Sequence, residues 1–383
     1  MLGLHKFTAD STHLYYMSEA GLFLGNGPFR MLGMMSGTSL DGLDLALVEF
    51  RKPRKGSGWN FTILKAETMS YSGTRWQQDL PLAYHLQGQA LDELSKAYSN
   101  WLNGQARDFI TRSGWEVDAV ASHGHTVLHL PDRGLTRQIG NGRQLATGLG
   151  VPVVCDFRQE DMARGGQGAP LVPAADALLY PDEAVCLNLG GFSNASWVDR
   201  RGRRRAGDLG PVNIVLNALA AREGEAYDHA GKRAAAGHIR DGLLEAMKAV
   251  PFYQRPFPKS LGREWAEQNI MPLLQEMDTN DALATATEHA AWAIAHGLKE
   301  MPKGRVLVTG GGVYNDQLMA RIKALSGREL KVPIDTVVQF KEAVSFALLG
   351  LLKLRGEVNV LASVTGGEAD GSDGKVYPAM PVA

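Results

Sequence analysis

The apolar positions of this chain follow two periods in turn, one typical of strands and one typical of helices. Residues 31–50 read as a strand, a turn of small residues and a second strand, with the hairpin signal Asp41-Gly42. Further strands are predicted at 60–71, 118–122 and 151–156. Helices are predicted at 91–112, 214–222, 283–299 and 315–325, where Leu318, Ile322 and Leu325 share one face. This alternation is typical of an α/β protein.

The same hairpin pattern returns about 150 residues later, a separation close to the size of one domain. Residues 184–198 are again strand, glycine turn and strand. A length of 383 residues also exceeds what one hydrophobic core usually supports. We therefore predict two related domains with an active-site cleft between them. The predicted divisions are an N-terminal extension (1–30), an N-terminal domain (31–175) and a C-terminal domain (176–383).

Charge and composition exclude several kinds of partner. Lys and Arg number 40 and Asp and Glu number 41, so no broad basic surface attracts nucleic acid or an anionic membrane. The longest apolar run, 343–352, is shorter than the roughly 20 residues that a membrane span needs. Cys155 and Cys186 lie in apolar runs and are expected to be reduced, buried thiols. We expect a cytoplasmic protein without nucleic-acid or membrane partners.

Three glycine turns are the features that favour nucleotide binding. Because the net charge is only −1, a phosphate must be held by local groups such as successive backbone N–H groups. Ser36-Gly37-Thr38-Ser39 offers such groups with three hydroxyls, and 190–194 offers a similar turn. Residues 309–312 place three glycines between a strand and a helix, where a flat ligand can approach the backbone. Each turn alone is typical of a hairpin, but the three in this order favour a nucleotide site, although no Walker sequence is present.

Polar residues between these turns are denser than a scaffold requires. His123 and His125 lack a third metal ligand at a suitable spacing, so hydrogen-bonding roles are favoured and the metal ligands are unknown. Asp208 is the candidate general base, since it lies among small residues after a strand and before a helix predicted near Asn213. The alternative is that Asp208 caps that helix or forms a turn.

Ten ordered motifs then identify a resemblance. They are MSGTSLDGLDLAL (35–47), SHGHT (122–126), QIGNG (138–142), DFRQEDMARGGQGAPLVP (156–173), LNLGGFSN (187–194), GDLGPVN (207–213), YDHAGKRAAAG (227–237), PKSLGRE (258–264), VTGGGVYN (308–315) and SVTGG (363–367). From about Met31 onward the chain resembles the anhydro-N-acetylmuramic acid kinases. That family belongs to the actin-like, hexokinase-like ATPases, so the resemblance implies a duplicated actin-like (ribonuclease H-like) α/β fold.

The resemblance also implies an activity and a set of site residues. Members open the 1,6-anhydro ring of their sugar and phosphorylate O6 with ATP and Mg²⁺, during peptidoglycan recycling. Asp208 takes the position of the catalytic aspartate, which also contacts the sugar. The implied ATP-binding residues are Ser36, Gly37, Thr38, Ser39, Leu40, Asp41, Gly42, Asp44, Gly190, Gly191, Ser193, Gly310, Gly311, Gly312 and Asn315. The implied sugar-binding residues are His123, Thr126, Gln138, Arg158, Asp161, Gly165 and Gly166. We expect a homodimer.

Three positions depart from the family pattern. Many members have glycine where this chain has Val212, aspartate where it has Asn217, and glutamine where it has His125. A valine at 212 is expected to narrow the pocket or restrict closure, which leaves sugar preference open. The alternatives are therefore a kinase for a different amino sugar, or a non-enzymatic nucleotide-driven switch. A switch of that kind would not need a sugar pocket lined by Gln, Arg and His.

Overall fold

A computed structural model of the chain describes residues 23, 25–37, 40–56, 58–140 and 142–381. The strands are β1 (Phe29–Ser36), β2 (Gly42–Arg51), β3 (Asn60–Ser70), β4 (Ala119–Leu130), β5 (Leu135–Ile139), β6 (Val153–Cys155), β7 (Val185–Leu189), β8 (Phe192–Val198), β9 (Arg204–Pro211), β10 (Val306–Thr309), β11 (Leu330–Lys331) and β12 (Lys375–Tyr377). Most of the predicted N-terminal extension, together with Thr38 and Ser39, lies outside the described residues. Since β1 begins at Phe29, residues 29 and 30 belong to a sheet and not to the extension.

Helices alternate with these strands as the sequence predicts. They are α1 (Trp76–Leu82), α2 (Gly88–Ser113), α3 (Arg143–Ala146), α4 (Gln159–Ala163), α5 (Val172–Leu179), α6 (Asn213–Ala220), α7 (Lys232–Ala236), α8 (Asp241–Lys248), α9 (Arg263–Asn269), α10 (Thr279–Leu298), α11 (Asp316–Ser326), α12 (Asp335–Leu354) and α13 (Ala362–Thr365). All four predicted helices are confirmed, as α2, α6, α10 and α11. No helical period in the sequence predicted α12, because many of its residues are buried and it lacks a clear polar face.

The described residues form two compact units. The first comprises those up to Leu179 together with those from Glu342 onward, and the second is Tyr180–Lys341. Residues 342–383 were assigned to the C-terminal domain on sequence grounds, whereas the described residues of this segment, 342–381, belong to the first unit. The reason is a long-range pairing, since β12 runs antiparallel to β6 of the first sheet.

Each unit is built on one mixed sheet. The first has the strand order β12-β6-β4-β1-β2-β3, with β5 paired to β4. The second has the order β11-β10-β7-β8-β9. In both, an antiparallel three-strand meander is followed by a parallel strand beside the first strand of the meander. The predicted duplication of an α/β fold is therefore confirmed by strand order.

Separate apolar cores support the two sheets. Leu32, Leu45, Tyr98 and Phe109 belong to the core of the first unit. Leu187, Leu209, Ile294 and Val308 belong to that of the second. Both cysteines are free and buried, as predicted. Among the described residues, no helix is sufficiently long and apolar to cross a bilayer.

Candidate active site

Ser36 ends β1 at the start of the predicted phosphate turn, and its hydroxyl points into the first unit. Tyr71 Oη donates to Ser36 Oγ at 2.8 Å, and Tyr98 Oη lies 2.6 Å from Tyr71 Oη. Ser36 Oγ is also 2.9 Å from His125 Nδ1. Ser36 is 3% exposed, and its hydroxyl belongs to this buried hydrogen-bond network. A contact of the Ser36 hydroxyl with a phosphate stays a prediction.

The other end of this turn is shaped by Leu40, Asp41 and Gly42. Leu40 has a positive φ of 58°, and its N–H lies 3.5 Å from the Gly37 carbonyl oxygen. A Cβ at Gly42 would lie 2.7 Å from the Met69 carbonyl oxygen, so glycine is required for close approach of β2 and β3. These three predicted ATP-binding residues therefore lie in one tight turn.

Asp44 is the third residue of β2 and lies close to other carboxylates. Its Oδ1 accepts a hydrogen bond of 2.6 Å from Thr68 Oγ1. Burial raises the pKa of Asp44 to about 6, against the opposing effect of Thr68, and the charges of Asp41 and Glu342 raise it further. A cation in this position would relieve the repulsion among these carboxylates.

The two histidines of the SHGHT motif contact different parts of the first unit. His123 contacts the Phe346 ring of α12 at 4.6 Å between centroids, whereas His125 contacts Ser36 and lies 6.4 Å from the Tyr98 ring of α2. Gly124 between them has φ 71°, and the β1–β4 register shifts at the same place. The two histidines therefore lie in different surroundings, although they are two residues apart in one strand. Burial lowers the pKa of His125 to about 4 and lowers that of His123 well below its usual value, so both rings are neutral.

His123 positions Arg158, the next predicted sugar-binding residue. Arg158 donates from Nε and Nη2 to His123 Nε2 at 3.1 and 2.8 Å, and from Nη1 to the Gly168 carbonyl oxygen at 2.7 Å. His123 Nδ1 then carries the proton and donates to the Gly124 carbonyl oxygen at 3.0 Å. Burial lowers the pKa of Arg158 to about 10, so the guanidinium remains charged at neutral pH.

Asp161 is fully buried in the first unit. Its Oδ2 accepts a hydrogen bond of 2.7 Å from the Gly168 N–H. Gly166 lies beside the same carboxylate, and a Cβ there would overlap it. Gly165 is exposed with a φ of 77°. The structure therefore joins Asp161 to the glycine loop 165–168, and a direct contact from Asp161 to a sugar stays a prediction.

Thr126 and Gln138 face each other across the β4–β5 pair. Gln138 Nε2 donates to Thr136 Oγ1 at 2.9 Å and lies 3.5 Å from Thr126 Oγ1. Gln138 Oε1 is buried and accepts no hydrogen bond from the described residues. A buried amide oxygen without a donor is costly, which is consistent with its predicted use by a polar ligand.

In the second unit, the Gly190–Gly191 turn is held by the start of α6. The Gly191 carbonyl accepts from the N–H groups of Val212 and Ile214 at 2.9 and 3.1 Å, and the Gly190 carbonyl accepts from Asn213 at 3.3 Å. Ser193 is fully buried and donates from Oγ to the Gly210 carbonyl oxygen at 3.0 Å. As with Ser36, the Ser193 hydroxyl is hydrogen-bonded within the protein, and its contact with a phosphate stays a prediction.

The three glycines after β10 differ in the space that a Cβ atom would have. A Cβ at Gly310 would lie 2.7 Å from Asn188 Oδ1, and one at Gly312 would lie 2.7 Å from Leu189 Cβ. Gly311 is exposed, and the nearest atom to its Cβ would be Asn213 Nδ2 at 3.9 Å. A side chain at Gly310 or Gly312 would therefore clash with its neighbours, whereas the Cβ position of Gly311 is open, and contacts of the three glycines with ATP stay predictions. The predicted ATP-binding residue Asn315 is the N-cap of α11, where its Oδ1 accepts from the Leu318 N–H at 2.9 Å.

Asp208 lies within β9 and not after a strand, which corrects the predicted position. Its Oδ2 accepts hydrogen bonds from the Leu261 N–H at 2.7 Å and from Ser260 Oγ at 3.3 Å, and Oδ1 accepts none from the described residues. The capping alternative is excluded, because Val212 occupies the N-cap position of α6. Burial raises the pKa of Asp208 to about 6, and the bonds from Leu261 and Ser260 oppose this rise.

Val212 is fully buried in the core of the second unit. The expectation that its side chain narrows a sugar pocket is therefore not supported by its position. Asn217 is exposed on α6. The sequence analysis missed Tyr71 and Tyr98, which have no local signal, and gave no role to the 258–264 motif that supplies the Asp208 partners.

Known proteins resemble this chain along almost its full length. Residues 29–379 match the family model described as anhydro-N-acetylmuramic acid kinase. The chain belongs to this family. An anhydro-N-acetylmuramic acid kinase of Pseudomonas putida is 38% identical over 375 residues, covering 91% of this chain and 99% of that protein. One from a Ruegeria species is 36% identical over 365 residues, covering 89% and 92%.

A more distant likeness exists among solved structures. The activator of a 2-hydroxyisocaproyl-CoA dehydratase from Clostridium difficile, with bound ADPNP, aligns with a TM-score of 0.42 and 12% identity, covering 85% of this chain and 96% of that one. The family membership confirms the resemblance that the motifs indicated, and the repeated strand order agrees with the duplicated actin-like ATPase fold expected of the anhydro-N-acetylmuramic acid kinases.

Proposed function

We propose that this chain is an ATP-dependent kinase that hydrolytically opens 1,6-anhydro-N-acetylmuramic acid and phosphorylates O6. The products are N-acetylmuramic acid 6-phosphate and ADP, in the recycling of cell-wall peptidoglycan. The observation that carries this proposal is the family match over residues 29–379. The partly buried Asp208 carboxylate, held by a backbone N–H and with Oδ1 accepting no bond from the described residues, supports it chemically.

Asp208 is the proposed general base. Its ionised carboxylate takes a proton from a water molecule while the water oxygen forms a bond to C1. The C1–O6 bond breaks, and O6 attacks the γ-phosphorus as the bond to ADP breaks. The phosphoryl group thus replaces the general acid that an inverting glycosidase uses. A base with a pKa of about 6 is ionised at neutral pH and more basic than an ordinary aspartate.

Backbone groups are the proposed phosphate ligands. The Ser36 and Ser193 hydroxyls are engaged internally, so the support comes from the peptide groups of the turn after β1, the Gly190–Gly191 turn and the exposed Gly311. Such peptide groups hold phosphate without requiring a basic surface. For the sugar, we propose contacts from Thr126, Gln138, Arg158 and the 165–168 loop.

Asp41 and Asp44 are the residues that would hold Mg²⁺. The described residues contain no group of three or more ligand side chains suited to a metal. Mg²⁺ in kinases is usually bound by one or two carboxylates together with substrate phosphates and water, so this pair fits the donor set. Burial chiefly raises the pKa of Asp44, and the added effect of the Asp41 and Glu342 charges supports the assignment. Mg²⁺ would offset phosphate charge during transfer.

An assay of ATP consumption across anhydro and reducing amino sugars tests the proposal. We expect strong turnover only with 1,6-anhydro-N-acetylmuramic acid, and mass spectrometry should identify a 6-phosphate that carries one solvent oxygen. A kinase for another amino sugar would instead turn over a reducing sugar. A non-enzymatic switch would bind ATP without sugar-dependent turnover.

The homodimer and the cytoplasmic compartment are proposals that rest on family resemblance and sequence composition. Light scattering with size-exclusion chromatography should give a mass of twice 41.5 kDa. A monomer mass across the working concentrations would contradict the dimer. Fractionation of the source cells tests the compartment.

A further inference from the structure

The SVTGG motif at 363–367 has no assigned role in the proposed reaction. It includes the end of α13 and the turn through Gly366. Thr365 is 2% exposed, and its Oγ1 donates to Asp161 Oδ1 at 2.7 Å. The Thr365 carbonyl oxygen accepts from the Gln167 N–H at 2.9 Å. This distant segment therefore reaches both Asp161 and the glycine loop.

The Asp161 carboxylate connects the two segments. Its Oδ1 accepts from Thr365 and its Oδ2 accepts from the Gly168 N–H at 2.7 Å. Gly168 is also bound through its carbonyl oxygen, which accepts from Arg158 Nη1 at 2.7 Å. Both polar groups of Gly168 are thus bound to charged side chains, and such charge-assisted bonds are stronger than neutral ones.

Steric contacts place the same segments against each other. A Cβ at Gly166 would overlap the Asp161 carboxylate, and a Cβ at Gly367 would lie 3.0 Å from Asp161 Oδ1 and 3.6 Å from Gly166 Cα. A second backbone bond between the segments, from the Glu368 N–H to the Arg164 carbonyl oxygen at 3.0 Å, continues the contact. Glycine on each side allows the carboxylate to lie directly between two backbones.

The loop has a particular need for such support. Gly165 and Gly168 have φ values of 77° and 67°, and three of the four loop residues are glycines. A free glycine loop loses more conformational entropy on ordering than any other segment of its length, which weakens binding. Holding it in one form before the sugar arrives removes that cost.

We propose that Thr365 is a positioning residue for the sugar site, acting through Asp161 on the 165–168 loop. The inference rests on the proposed function, because that loop is expected to contact the sugar. Thr365 touches neither the sugar nor ATP in this account. Its loss should therefore raise the KM for the sugar while the KM for ATP stays unchanged.

Thr365→Val is the main test, because valine keeps the shape of threonine and removes the donor to Asp161. We expect the KM for the anhydro sugar to rise at least about 10-fold, since small misplacements of binding groups have effects of this size or larger. Thr365→Ser should restore a near-normal KM. Ser363→Ala is the matched control, since the Ser363 side chain makes no hydrogen bond to the described residues and should leave both KM values unchanged.

Hydrogen exchange of the free proteins tests the same link without sugar or turnover. A peptide containing residues 165–168 should exchange faster in Thr365→Val than in the wild type, and Ser363→Ala should match the wild type. If Thr365→Val does not fold, Gly367→Ala replaces it, because the added Cβ presses on Asp161 Oδ1 while the threonine remains. The same rise in sugar KM is then expected.

The proposal is overturned if the folded variant keeps a wild-type sugar KM and wild-type exchange in the loop. It is also overturned if the KM values for sugar and ATP rise equally and serine gives no rescue. These outcomes differ from failure of the proposed function, in which the wild type itself does not turn over the anhydro sugar. In that case the exchange experiment still decides whether Thr365 holds the loop.

Discussion

The hairpins that open the two units occupy the same place in the same strand order, yet they are held by different contacts. In the first unit, the hydroxyl of Ser36 joins Tyr71, Tyr98 and His125 in a buried chain. In the second, the carbonyls of Gly190 and Gly191 accept from the first N–H groups of α6. One turn is fixed by side chains and the other by a helix terminus. In both cases, serine hydroxyls that resemble phosphate ligands in the sequence support the turn from within.

Each unit also holds one aspartate whose pKa is raised to about 6 by burial. Both carboxylates accept hydrogen bonds that lower their pKa, Asp44 from Thr68 and Asp208 from Leu261 and Ser260. Only Asp44 also lies near other carboxylates, whose charges raise its pKa further. Equal pKa values thus arise from different surroundings. The difference favours a cation at Asp44 and proton transfer at Asp208.

The largest expected effect is on turnover in Asp208→Asn. The amide can still accept from the Leu261 N–H but cannot act as a base, so turnover should fall by at least about 10² while ATP binding persists. The raised pKa means that the charged form is disfavoured in the folded state. The melting temperature at pH 7 should therefore equal or exceed that of the wild type, with a difference that shrinks as the pH falls below about 6 towards the usual aspartate pKa of about 3.9.

Asp44→Asn is the matched variant for that experiment. It should increase the Mg²⁺ concentration needed for half-maximal activity, whereas Asp208→Asn should not. Calorimetry and steady-state kinetics separate the two. Near-normal turnover in Asp208→Asn would show that the general base lies elsewhere.

The pH profile sharpens the same comparison. Below about pH 6 Asp208 becomes protonated, so kcat/KM should fall about 10-fold for each further pH unit. Asp44 loses its charge over the same pH range. If kcat/KM of the wild type falls by more than 10-fold per pH unit, both ionised carboxylates are needed. A rate that stays constant down to about pH 4.5 contradicts a base with a raised pKa, since an ordinary aspartate is half-protonated only near pH 3.9.

A pair of glycine variants separates ligand contact from packing in the second unit. Gly311→Ala adds a methyl group in open space, so the fold should persist while ATP affinity falls about 10-fold, as overpacking of a close contact costs about 1–3 kcal/mol. Gly310→Ala requires a φ of 84° and a contact of 2.7 Å to Asn188, so it should mainly lower stability. Titration calorimetry and thermal melting measure both. Unchanged ATP affinity in Gly311→Ala would remove this turn from the site.

The smallest expected effects concern the two serines. Ser36→Ala removes the bond that Tyr71 Oη donates, although Tyr71 keeps Tyr98, and it leaves His125 Nδ1 without Ser36. The free energy of unfolding should fall by about 1–3 kcal/mol. Ser193→Ala removes one bond to a backbone carbonyl and should cost about 1 kcal/mol. Urea denaturation measures both, and ATP affinity should hardly change. A large loss of ATP affinity in a stable Ser36→Ala protein would restore that hydroxyl as a phosphate ligand.

Local patterns along the chain predicted most of the elements and the repeated hairpins. Strand and helix periods depend on neighbouring residues, so β1, β2, β3, β7 and β8 could be placed without tertiary information. The family motifs likewise marked the segments of the site. The motifs could not show that Asp161 is buried or that the Ser36 hydroxyl belongs to a buried hydrogen-bond network. Both facts depend on partners that are distant in sequence.

The sequence by itself determined the α/β class, the duplication and the family, since each is carried by local order and motif. Only the tertiary structure decided which way the chemical groups face. The positive φ of Gly124 and the register shift beside it separate His123 from His125, although a regular strand would have put them on one face. Thr365 meets Asp161 across 204 residues, and β12 returns to the first sheet. Such contacts depend on the packing of the whole unit, which a local sequence pattern cannot predict.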